Sequence, residues 1–168
     1  MTAVAEVETS QITIISTRVS EIFDAPNAAR LLHSYAEECL IPDAQPQRAV
    51  YEAMEKTNLL RCFGAYVSGP EIDTASPYGL LIGFISVATP IMPHCGKRIA
   101  TVESLFVDPN YRHSGAGNYL LDEAERYAAR MKCLALTCVA RVDSAFDKVL
   151  SRRAGYALTH SQHTRWLA

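Results

Sequence analysis

The residues able to do chemistry gather between positions 101 and 118. They are Glu103 and the run Arg112-His113-Ser114-Gly115-Ala116-Gly117-Asn118. A positioned carboxylate can take a proton from a reacting group. A basic, glycine-rich turn can hold an anion, above all a phosphate. Gly115 and Gly117 carry no Cβ, so a ligand can approach the backbone closely. A helix opening directly after them would add N–H groups without helical partners and a dipole that favours negative charge. No Gly-Lys-Ser/Thr follows the glycines, which makes a P-loop a poor match.

The elements that must position these groups follow from the pattern around them. Thr101–Val107 reads as a strand with Leu105, Phe106 and Val107 at its end, and Asp108-Pro109-Asn110 turns the chain. Asn118 to Lys132 reads as a helix with Leu120, Leu121, Ala124, Tyr127, Ala128 and Met131 on one face. Cys133–Val139 is nearly all apolar, as expected of a strand covered on both faces. A strand, helix and strand of this length imply that 101–107 and 133–139 run parallel through a right-handed crossover.

Upstream, Gln11–Ser16 reads as a short strand after a loose tail over residues 1–10. Asp24-Ala25-Pro26 starts a helix with Ala28, Leu31, Leu32, Tyr35, Ala36 and Cys39 at helical spacing, ending before Pro42. Pro46 starts a second helix, with Ala49, Val50, Ala53, Met54 and Leu60 marking its buried side. Leu60–Ser68 and Gly79–Ala88 look like an antiparallel pair, and Thr89–Lys97 like a loop. Downstream, Ser144 with Asp147 begins a short helix, Phe146, Val149 and Leu150 give its buried face, and Gly155 ends it. Tyr156–Leu167 is expected to return as a final strand. Residues 11–168 are expected to form a single domain.

Composition narrows the function. The chain has 168 residues, 49% of them apolar, and a net charge of −2, which suits a soluble globular protein without a polyanion partner. The acidic N-terminus does not resemble a signal peptide, and no apolar run reaches membrane-spanning length. The five cysteines are odd in number and form no CxxC pair. Four lie in apolar surroundings and read as reduced core residues of a cytoplasmic protein. His160 and His163, three apart in the expected strand, would face opposite sides, so no shared metal is expected.

Three local patterns carry a family resemblance. Arg112-His-Ser-Gly115-Ala-Gly117 meets the pattern (Q/R)-x-x-G-x-(G/A), Val107-Asp108-Pro109 ends the preceding strand, and Gly155-Tyr156 ends the last helix. Set in the element order above, the chain resembles the GCN5-related N-acetyltransferase (GNAT) superfamily over nearly its whole length. The layout also resembles small GNAT proteins of tailed phages. The resemblance implies an α+β fold: a mixed, mostly antiparallel sheet with a splayed parallel strand pair, flanked by about four helices. It implies acetyl-CoA as cosubstrate, a primary amine as acceptor, and no metal. Arg112, His113, Ser114, Gly115, Ala116, Gly117 and Asn118 would wrap the pyrophosphate. Leu105, Phe106 and Val107 would pair with the pantetheine arm, and an N–H near Val107 would polarise the thioester carbonyl.

Many members of the superfamily carry an acidic residue at the position of Glu103. Period-two alternation places Glu103 on the face of Leu105 and Val107, where a carboxylate among apolar groups binds its proton more tightly. The alternative is a solvent-facing Glu103 paired with Lys97 or Arg98. Many members also use a tyrosine as general acid where this chain has Ser151. Ser151 is too short and too weak an acid for that role, and Tyr156 and Tyr119 are the substitutes. Without them the thiolate leaves unaided. Glu37, Glu38 and the loop at His94-Cys95 could line an acceptor pocket, though a solvated surface explains them as well. A rival reading is a binding module that holds acetyl-CoA without turnover. A homodimer is compatible with either reading.

Overall fold

In the computed structural model, residues 11–39, 43–69 and 76–159 are described. The strand β1 (Gln11–Thr17) is followed by helices α1 (Val19–Phe23), α2 (Ala28–Cys39) and α3 (Arg48–Lys56). Strands β2 (Leu60–Ser68) and β3 (Leu80–Ala88) come next, then a hairpin of β4 (Ile91–Met92) and β5 (Lys97–Arg98). Strand β6 (Ala100–Val107) leads through a 3₁₀ helix, Pro109–Ser114, into α4 (Ala116–Arg130), β7 (Leu136–Cys138) and α5 (Ala145–Arg152). Two compact units result, Met1–Thr137 and Cys138–Ala168.

The five-stranded sheet has the order β1-β2-β3-β6-β7. Neighbours from β1 to β6 are antiparallel, and β7 runs parallel to β6. β2 and β3 are rich in branched and aromatic side chains and are buried along almost their whole length. They sit between two layers. On one side Phe84 and Phe106 pack with Val19, Ile22 and Leu31 of the first two helices. On the other lies α4, whose Leu120, Leu121, Ala124, Tyr127 and Ala128 are buried, with Tyr127 meeting the Phe63 ring edge-on at 5.8 Å. Each fully buried side chain such as Phe63 or Ile85 contributes about 1.5–3 kcal/mol.

β3 and β6 approach closely at Gly83, which sits opposite Val107. A Cβ there would lie 2.7 Å from the Phe106 carbonyl oxygen. Gly83→Ala is therefore expected to destabilise the protein by about 2–3 kcal/mol, read as a lower urea midpoint at unchanged slope.

Several expectations need correction. Asp24 is the C-cap of α1, a five-residue helix that apolar spacing did not reveal, and α2 opens only at Ala28. Arg48 holds Asp24 by a bidentate ion pair, 2.6 and 3.1 Å, so the aspartate serves the α1–α3 contact. In α3 Tyr51 and Met54 pack against the core, Glu55 accepts from the Val19 N–H at 3.1 Å, and Ala49, Val50 and Ala53 are exposed. The loop 89–97 contains the β4–β5 hairpin. The strand expected at 133–139 is only three residues long, and Leu134 and Val139 are 63% and 67% exposed rather than covered. Of the cysteines only Cys62 is buried. Burial pushes its thiol up to about 12. Arg153 is the C-cap of α5, and Gly155, at φ +85°, lies two residues beyond it. Residues 156–159 form no strand. The rest of that expected strand, with His160, His163 and Trp166, falls outside the described residues, as do residues 1–10. Among the described residues no helix is long and apolar enough to cross a membrane.

Candidate active site

The β3–β6 ladder breaks register at one point. Ser86 faces Ser104 and Val87 faces Val102, so Glu103 is an extra residue without a partner across the ladder. Such a bulge interrupts strict alternation. Glu103 is exposed, and its charge acts on the hydroxyls of Tyr35 and Tyr51. Tyr35 packs on Phe84 and Phe106, with ring centroids 5.5 and 6.2 Å away. The carboxylate thus lies on the side of Ser104 and Phe106. The expected grouping with Leu105 and Val107 assumed an unbroken strand and does not hold. Arg98, one of the expected ion partners, instead donates to the Thr89 carbonyl at 3.0 Å.

Beside Glu103 lies a cluster of hydroxyls. Ser86 and Ser104, both buried, share a 2.6 Å hydrogen bond. Ser104 and Tyr35 both hydrogen-bond the Tyr51 hydroxyl. Burial raises the Tyr51 phenol above its ordinary range, with the Glu103 charge adding to it and the two hydrogen bonds opposing it. Burial, reinforced by a hydrogen bond with Cys39, pushes Tyr35 up much further. Both phenols hold their protons at neutral and mildly alkaline pH. The site therefore pairs one exposed carboxylate with two neutral hydroxyls.

The end of β6 is held from several sides. Asp108 donates its N–H to the Ile82 carbonyl at 2.8 Å, towards β3. N–H groups alternate along a strand, so those of Val107 and Leu105 point to the outer edge. β7 is three residues long against eight for β6, so this outer edge runs on past the β6–β7 ladder. Arg112 reaches back over it. Its Nε donates to the Val107 carbonyl at 3.1 Å, its guanidinium lies 5.7 Å from the Phe106 ring centre, and it pairs with Glu38 of α2. The Arg112 side chain is therefore a strap across the strand end, and Glu38 is its partner.

Asp108 anchors the turn. Its carboxylate accepts from Arg30 at 2.5 Å and from the Asn110 N–H at 3.0 Å. Burial alone would raise its pKa, but Arg30, Asn110 and the more distant Arg112 charge outweigh burial and hold it below the usual carboxylate range. A lowered folded-state value stabilises the protein above the unfolded pKa, about 4, and is lost as pH falls through the folded value. Asp108→Asn is expected to cost about 1–3 kcal/mol at pH 7, since Arg30 is half exposed and the cap is only weakened. The variant should also lose part of the acid limb of the stability–pH curve, measured by urea unfolding between pH 2 and 7.

The glycine turn has the geometry of an anion cradle. Gly115 takes φ +87°, the left-handed region, and caps both the 3₁₀ helix and α4. The first i→i−4 bond of α4 runs from the Tyr119 N–H to the Gly115 carbonyl at 3.1 Å, so the N–H groups of Gly117 and Asn118 come before the helical ladder begins. Ala116 is buried beneath the turn, and His113, Ser114 and Asn118 are exposed. A Cβ on Gly117 would meet only Val107 Cγ2, at an ordinary 3.7 Å. The protein's own packing does not require glycine there, which fits a backbone surface kept bare for a phosphate-bearing ligand.

Residues 28–148 match the sequence profile of the acetyltransferase (GNAT) family. The chain belongs to that family. A comparison with curated protein sequences finds no significant match. Among solved structures, this GNAT chain is similar to a ribosomal-protein-alanine N-acetyltransferase from Brucella melitensis biovar Abortus 2308. That pair shares 22% identity and a TM-score of 0.66 over 92% of this chain and 99% of the other. It is similar to an aminoglycoside acetyltransferase from an uncultured soil metagenomic sample, at 13% identity and a TM-score of 0.69 over 94% and 96%. AAC(6')-Iy, in complex with a CoA-S-monomethyl-acetylneamine bisubstrate analog, shares 14% identity and a TM-score of 0.65 over 95% and 99%. At these identities the likeness speaks for the fold alone.

The remaining candidates of this GNAT chain lie apart in role. Ser151 is exposed and donates to the Asp147 carbonyl one turn back at 2.7 Å, which ties its hydroxyl to its own helix. Tyr156 is half-buried in the same unit. Tyr119 is 50% exposed, with its ring beside Gly115. His94 and Cys95 are exposed in the turn of the small hairpin. Sequence reasoning did not single out Tyr51, Ser86 and Ser104, and it read Tyr35 only as part of a helix face. Their signal was polarity on otherwise apolar elements: tyrosine where leucine would pack, serine inside buried strands.

Proposed function

We propose that the protein transfers the acetyl group of acetyl-CoA to a primary amine by direct attack within a ternary complex. The bare glycine turn at the start of α4 carries this reading. Backbone N–H groups between Arg112 and Asn118 would hold the pyrophosphate. The outward N–H groups of Leu105 and Val107 would face the pantetheine arm and the thioester carbonyl, where the Val107 N–H would stabilise the oxyanion. Glu103 would take the proton of the acceptor ammonium. The freed nitrogen attacks the carbonyl carbon, the C–S bond breaks and coenzyme A leaves as a thiolate, and the second proton, which the nitrogen sheds as the amide forms, passes through solvent to the thiolate. Isothermal titration with acetyl-CoA, followed by free-thiol release with an amine panel, tests the scheme. Saturable binding with acceptor-dependent thiol release supports it.

A second reading, a module that binds acetyl-CoA without turnover, draws on Ser151. Its hydroxyl is bonded within its own helix at the position where many GNAT enzymes carry a tyrosine acid. Saturable binding without thiol release for any amine would favour this second reading.

A further inference from the structure

The backbone of Arg112 belongs to the 3₁₀ helix that leads into the glycine turn, but its side chain runs the other way, onto the end of β6. The Val107 carbonyl and the Asp108 N–H share one trans peptide and point in opposite directions. That N–H goes to Ile82 on β3. The carbonyl therefore faces the outer edge, beside the N–H groups that would meet the pantetheine arm. Arg112 Nε takes this carbonyl at 3.1 Å, and the guanidinium lies over the Phe106 ring. The side chain thus stands on the edge that the arm would need.

Glu38 keeps it there. The guanidinium pairs with the Glu38 carboxylate in the last turn of α2, and the two side chains are 41% and 50% exposed. That turn carries Glu37 and Glu38 and no basic residue, at the end of the helix where the dipole disfavours negative charge. Glu37 has His33 beside it at 3.4 Å on the same helix, and Arg112 supplies the cation for Glu38. An exposed ion pair of this kind is weak and is screened by salt. A pyrophosphate offers two negative charges and the bidentate geometry that a guanidinium prefers. In a competition for Arg112, the carboxylate loses to the phosphates.

We propose that Glu38 is a positioning residue for Arg112. It latches the guanidinium across the β6 edge, and the coenzyme pyrophosphate draws the guanidinium away. Val107 is then freed for the pantetheine arm in the same step that gives the phosphates a cation. The proposal rests on the acetyl-transfer reading, in which the glycine turn takes the pyrophosphate, and names a residue that sets the affinity of that site. Opening the latch costs part of the coenzyme's binding energy, so the apparent affinity is lower than the intrinsic one.

Titration calorimetry of acetyl-CoA on the full chain tests it. Glu38→Gln should bind acetyl-CoA about three- to fivefold more tightly at low salt, the size an exposed ion pair allows. The difference should vanish near about 0.5 M KCl. Arg112→Ala should bind about fivefold more weakly or worse, through the lost phosphate contact. In that background Glu38→Gln should have no further effect, because the two residues act as one unit. Glu37→Gln makes the same change of charge one residue away and should leave the affinity unchanged. A gain that survives without Arg112, or that Glu37→Gln matches, would be long-range charge and would overturn the latch. So would the absence of any gain in Glu38→Gln. Each of those results leaves the coenzyme site standing. No binding of acetyl-CoA by either the parent or Glu38→Gln would sink the coenzyme site and the latch with it.

Discussion

Glu103→Gln is expected to lower kcat/KM for acetyl transfer about 100-fold at pH 7, the low end of what a positioned general base contributes, and to leave acetyl-CoA affinity within about two-fold. The acceptor ammonium, with a pKa of about 10, needs a base near neutrality. As pH approaches that value free amine becomes abundant, so the deficit should shrink on the alkaline side. Steady-state rates from pH 6 to 10 give the profile. Stability should change by no more than about 0.5 kcal/mol, because Glu103 is exposed and has no partner across the ladder. A variant as fast as the parent at pH 7 would assign the proton to water or to another group.

Gly117→Ala separates binding from folding. The new methyl meets only Val107 Cγ2 at 3.7 Å, and alanine suits a first helical turn better than glycine. Stability should hold or rise by up to about 0.5 kcal/mol. The methyl would nonetheless stand where the pyrophosphate is expected, so acetyl-CoA should bind at least about tenfold more weakly, some 1.4 kcal/mol by titration calorimetry. Gly115→Ala behaves differently. Its φ of +87° strains any side chain by about 1–2 kcal/mol, so that variant loses stability first. Undiminished affinity in Gly117→Ala would remove the turn from the coenzyme site.

The order of elements was legible because long apolar patterns dominate it. The buried face of α4 matches its spacing at Leu120, Leu121, Ala124, Tyr127 and Ala128, with Ala116 added and Met131 only half-buried, and β2 and β3 are mostly apolar runs. What escaped was short or locally irregular. A five-residue helix such as Val19–Phe23 carries too few turns to show a period. The apolar run 133–139 forms only the three-residue β7, and its Leu134 and Val139 stay exposed. In α3 the spacing marked Ala49, Val50 and Ala53, yet Tyr51 faces the sheet, because its hydroxyl finds Ser104 and its ring packs beside Phe23 at 6.3 Å. The glycine turn was readable at the level of residue type, since a left-handed position at 115 calls for glycine. The side of β6 that carries Glu103 was not, because parity arguments fail at a bulge and nothing in the local residue types announces one.

That bulge makes the carboxylate a supernumerary residue. The sheet would close its ladder without it, and no packing neighbour across the strand dictates its identity. Position 103 can therefore be exchanged with little consequence for folding, which leaves its side chain free for the role proposed for it. The scaffold and the proposed proton acceptor are separable within one strand.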